Sequence, residues 1–105
     1  MITTLTIFAD STVSVETVVK SNADPTGTLP YFALSAVGAV TPGSYVAGTW
    51  GVAYSATTDK ATARSATVGG TGSHAIVSGT DYLLWCKVAA SGDTLVEPVA
   101  LIHCP

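Results

Sequence analysis

The chain has 105 residues, which suffices for one domain and one hydrophobic core and leaves no room for a second. Four basic and seven acidic residues give a net charge of −3, and charged residues make up only 10% of the chain, against about a quarter in an average soluble domain. The bases Lys20, Lys60, Arg64 and Lys87 are scattered along the sequence, so no phosphate-tracking stripe and no nucleic-acid binding are expected.

Threonine (16 residues), alanine (15), valine (13) and glycine (10) dominate, and glutamine is absent. β-Branched residues suit a pleated surface, and no window of ten residues carries apolar positions at helical spacing. An all-β domain without helices is therefore expected. The opening Met1-Ile2-Thr3-Thr4-Leu5 has neither a basic nor an apolar leader segment, so no signal peptide is expected. No run approaches the 18 apolar residues of a membrane span.

Residues 2–8 read as a first strand, ended by Asp10-Ser11. Residues 12–20 read as a second, with Val13 and Val15 on one face. Ser21 to Pro30, with Asn22, Asp24, Pro25 and Gly27, is a loop by composition. Residues 31–37 alternate, with Phe32, Leu34 and Ala36 on one side. Thr41-Pro42-Gly43 is a turn. Residues 44–55 give the cleanest period of two, Val46, Gly48, Trp50, Val52 and Tyr54, and Trp50 is assigned to the core. Residues 61–68, with small side chains on both faces, suggest an edge strand or a covered one. Gly69-Gly70-Thr71-Gly72 is a flexible loop, followed by a short strand over 74–78.

The densest apolar run is Gly79 to Ala89, and Leu95 to Ile102 follows across Ser91-Gly92-Asp93. Two extended runs about a Gly-Asp turn predict a β-hairpin. That hairpin puts Cys86 opposite a residue near Pro98 and Cys104 near Thr80, beyond disulfide reach, so two free thiols are expected. Some eight segments at regular spacing describe a sandwich or small barrel.

No catalytic or metal-binding pattern emerges. His74, His103, Cys86 and Cys104 lack zinc-ligand spacing, and a buried Cys86 behaves as a small hydrophobe rather than a nucleophile paired with His103. Asp10, Glu16, Asp24, Asp59, Asp81, Asp93 and Glu97 are spread mostly over turns. The glycine loop has no following helix or Lys-Ser/Thr pair to cradle a phosphate. No cofactor, no metal and no enzymatic activity are expected.

Gly79-Thr80-Asp81-Tyr82, followed by alternating Leu84, Cys86 and Val88, resembles the sixth strand of fibronectin type III and related immunoglobulin-like domains. The stretch from Gly92 through Glu97-Pro98-Val99 is similar to the last turn and strand of that family. The resemblance covers the last quarter of the chain. It implies a single immunoglobulin-like sandwich of seven to eight antiparallel strands over residues 1–105. Tyr82 would then turn inward with its hydroxyl on a backbone carbonyl. Leu84, Cys86 and Val88 would line the core, leaving Leu83, Trp85 and Lys87 outside as a protein-contact patch. With the faces swapped, Trp85 would be core instead.

Size and composition also resemble the minor virion proteins of tailed bacteriophages, in which such modules decorate capsids or join head and tail parts. That likeness implies a structural virion component, assembled in the host cytoplasm. It would bind capsid or connector subunits and possibly further copies of itself. The alternative is a carbohydrate- or cell-surface-binding module using Trp50, Trp85, Tyr31 and Tyr45.

Overall fold

The computed structural model describes residues 2–38, 43–90 and 92–105. Eight strands follow in order: β1 (Thr3–Thr6), β2 (Glu16–Lys20), β3 (Tyr31–Ala36), β4 (Val46–Ala47), β5 (Thr49–Ser55), β6 (Lys60–Arg64), β7 (Thr80–Ala90) and β8 (Asp93–Cys104). They form a five-stranded sheet, β1-β8-β7-β3-β4, and a three-stranded sheet, β2-β6-β5. The sandwich fold is as the sequence implies.

The core lies where the two inner faces meet. Phe32, Leu84, Ile102 and Val68 are fully buried there. Successive strand residues point to opposite faces, and β7 follows that rule: Leu84, Cys86 and Val88 face in, while Leu83, Trp85 and Lys87 are half-buried on the other side. Ala61 and Ala63 of β6 face the same core. Their small side chains belong to the central strand of the small sheet, which settles the edge-or-covered alternative in favour of covered.

Several expectations need correction. One pairing, β1 with β8, is parallel rather than antiparallel. The first strand stops at Thr6, and the second begins only at Glu16. Val13 is outward and makes a single bridge to Val68, whereas Val15 is buried. The expected strand over 74–78 reduces to one bridge between His74 and Val68. The Thr41-Pro42 part of the expected turn lies outside the described residues.

The clean alternation of 44–55 conceals a break. β4 pairs with β3 in the large sheet, while β5 pairs with β6 in the small one. The chain crosses between sheets at Gly48, whose N–H donates to the Pro30 carbonyl at 2.7 Å. A Cβ at Gly48 would collide with the Arg64 carbonyl oxygen and sit 2.9 Å from Phe32 Cε1. Trp50, just beyond, packs against the core from the side and is only partly buried. Its indole N–H donates to the Thr28 carbonyl at 2.8 Å.

The β7–β8 hairpin turns at Gly92 (φ 82°), with Ala90 opposite Asp93. A bulge displaces the register between Leu84–Ala100 and Trp85–Pro98, and Pro98 sits beside that irregularity, where a missing N–H is tolerated. Cys86 lies opposite Glu97, and Cys104 opposite Thr80. Both thiols are free and buried. Tyr82 leans on the core, but its hydroxyl accepts a hydrogen bond from the Val77 N–H at 3.0 Å, rather than donating to a carbonyl.

Candidate interaction surface

The outer face of the large sheet is built around β7, which lies between β3 and β8. Cross-strand pairing sets Trp85 between Ala33 and Pro98, Leu83 between Ser35 and Leu101, and Lys87 between Tyr31 and Val96. Ala33 is fully buried because the large indole beside it covers a side chain too short to reach solvent. The Trp85 indole N–H donates to Ser35 Oγ at 2.8 Å, fixing the ring against the sheet. Trp85 is thus an outer-face residue, not a core one.

Lys87 is held by aromatic rings. Its ammonium lies 4.2 Å from the centroid of Tyr45 and 5.7 Å from that of Tyr31, within cation–π range of both. Burial pushes the Tyr45 phenol upward, with a smaller contribution from Cys86. Tyr31 is 39% exposed and Val96 42%, so apolar area remains open around the cation.

Leu83, Trp85 and Lys87 therefore share one face, together with Tyr31, Tyr45 and Leu101. Ser35 escapes sequence reasoning, and Tyr45 enters it only as a stacking residue of the alternative module, because their contacts with Trp85 and Lys87 depend on strand pairing across more than forty residues. At the other end of β7, the Asp81 carboxylate meets His103 Nδ1 at 2.6 Å, with both side chains half exposed. Six residues of strand separate Asp81 from Lys87, about 20 Å. The face is apolar at its centre, cationic at one end and closed by the Asp81–His103 hydrogen bond at the other.

The remaining candidate residues stay apart. Among the described residues, no three His, Cys, Asp or Glu side chains gather as a metal site. His74 is buried, and its Nε2 has no hydrogen-bond partner; desolvation pushes its pKa below the usual 6.5. Burial raises the Cys86 thiol to about 12, with Glu97 adding to the effect, so little thiolate exists near neutrality. The glycine loop is a packing device. A Cβ at Gly70 would lie 2.6 Å from the Ala9 carbonyl oxygen, and one at Gly72 2.5 Å from that of Thr67.

A groove opens at one side of the sandwich, between β2 and the inner face of the hairpin. It consists of two adjoining hollows of about 300 and 290 Å³ that share Val19, Lys20, Val88 and Leu95. Asp93 lines one hollow and Glu97 the other. The carboxylates stand on an inward-facing row because no strand covers that end of β8.

Comparison with protein families, curated proteins and solved structures returns no match for this chain.

Proposed function

We propose that the chain is a non-enzymatic structural protein of a viral particle, a capsid-associated decoration or minor capsid protein. In this reading it docks on capsid or connector subunits through the outer face of the large sheet. The observation that carries the docking is the Trp85 platform: an aromatic ring locked by Ser35, flanked by Leu83, and bordered by a lysine held between two tyrosines. Rigid aromatic anchors at the centre of a patch dominate binding energy in protein interfaces. The virion setting draws on the charge-poor, Thr/Ala/Val/Gly-rich composition. A surface with few charges has little electrostatic repulsion to hold neighbours off.

The test is co-sedimentation of the purified chain with particles assembled without it. Wild type is expected to pellet with the particles. Trp85→Ala, which removes the anchor and leaves the core strand residues in place, is expected to bind at least ~10-fold more weakly. Equal binding by the variant, or a wild type that never pellets, refutes the reading.

The carbohydrate-module alternative finds less support. Trp85, Tyr31 and Tyr45 share one face of the large sheet, but Trp50 lies apart on β5 of the small sheet with its N–H already bonded to Thr28.

A further inference from the structure

The geometry points to self-association: we propose that two copies of this chain join edge to edge along β2, through an antiparallel pairing centred on Val18. Within the described residues β2 pairs with β6 alone, so its other edge is open. The ladder fixes what that edge displays. Ser65 N–H donates to the Val15 carbonyl and Ser21 N–H to the Asp59 carbonyl, both at 2.8 Å. Hydrogen-bonded and non-hydrogen-bonded pairs alternate along an antiparallel ladder. Val15, Thr17, Val19 and Ser21 therefore turn their backbone groups toward β6, and Glu16, Val18 and Lys20 turn theirs away. Those three N–H and three C=O groups face outward.

Placing a two-fold axis at Val18 gives each outward group a partner. Val18 meets the second copy's Val18, Glu16 meets the second copy's Lys20, and Lys20 meets the second copy's Glu16. All three are hydrogen-bonded pairs, about six backbone bonds in total. Both charge pairs are of opposite sign, and the pairing is self-complementary, as an isologous contact requires. Val18, 59% exposed on the outer side of the small sheet, gains an apolar neighbour.

A second observation singles out this edge. Lys20 lies directly opposite Lys60 on β6, and like charges in that position destabilise a sheet. Within its own copy Lys20 shares the groove with Asp93 and Glu97, and Glu16 lies opposite Arg64, so neither cross-strand neighbour of Lys20 on β6 is an acid. The second copy's Glu16 adds a carboxylate directly across the new ladder from Lys20, on the side away from Lys60. The five-residue ladder is short against the roughly 800 Å² per partner of a standard interface, so the dimer is weak, reversible and concentration-dependent.

Sedimentation velocity over a concentration series tests this with the full chain. Wild type is expected to shift from monomer to dimer as concentration rises, and to shift back as salt is added. Glu16→Lys and Lys20→Glu each put like charges at both pairs, and each is expected to weaken the dimer at least ~10-fold. Mixing the two variants restores both opposite-charge pairs, so the mixture is expected to form a heterodimer that neither forms alone. Val18→Pro removes the central N–H, which makes no bond to β6, and is expected to abolish the dimer while leaving the fold, read by circular dichroism, in place. A wild type that stays monomeric throughout, single variants that dimerise as wild type does, or a mixture that remains monomeric each overturns the proposal. None of these outcomes bears on docking through the Trp85 face, which lies on the other sheet.

Discussion

Trp85 owes its place on the surface to two small neighbours. Ala33 leaves room for the indole to lie against β3, and Ser35 receives its N–H. A tryptophan on an outer face would otherwise leave its one donor to solvent and its ring free to turn; here the bond spends the donor and sets the ring plane. His74 shows the opposite situation. It is 3% exposed with Nε2 unpartnered, so protonation would bury a charge without a partner. Its folded pKa is depressed below 6.5. As pH falls through 6.5 the unfolded chain takes up the proton first. His74 therefore costs no stability above that value and progressively more below it. Thermal melts between pH 7.5 and 5 are expected to show a falling midpoint, and His74→Met is expected to flatten that fall. An unchanged slope in the variant would assign the acid sensitivity to other groups.

At the scale of strands, the sequence is most legible where one strand keeps one partner layer. The alternation of Leu84, Cys86 and Val88 against Leu83, Trp85 and Lys87 predicts both faces of β7, because burial on one side enforces period two. The contact residues named from the sequence do share a face. Their surroundings are not legible, since Tyr31, Ser35 and Tyr45 reach them only through pairing of β3 with β7 and β4. The run 44–55 misleads for a related reason. Period two persists across Gly48, so nothing in the pattern marks the passage from one sheet to the other. What marks it is steric: the Arg64 carbonyl and the Phe32 ring fill the space a side chain would need. Gly48→Ala is expected to lower stability by ~2 kcal/mol or more, read by urea denaturation, because overpacking against backbone has no flexible atom to yield. A loss of a few tenths would mean that β4 and β5 shift freely about the crossing. The strands expected near residues 2–8, 12–20 and 74–78 shrink because β-branched composition favours extended chain, whereas a ladder needs a partner alongside.

For the molecule as a whole, edge pairing along β2 would produce a continuous six-stranded sheet. A two-fold axis normal to that sheet keeps both large sheets on the same side, so both Trp85 faces would point in one direction. Two such faces on one rigid body suit a repeating surface, where the second contact forms at high effective concentration. The molecule also carries its own reporter of opening. Cys86 and Cys104 sit in the inner layer, on adjacent strands that close the domain. An aromatic disulfide reagent should leave both sulfurs unmodified in the native protein and titrate them in denaturant. The slow native reaction rate then measures how often the two layers part. Rapid labelling of either sulfur without denaturant would mean that the layers separate far more readily than their packing implies.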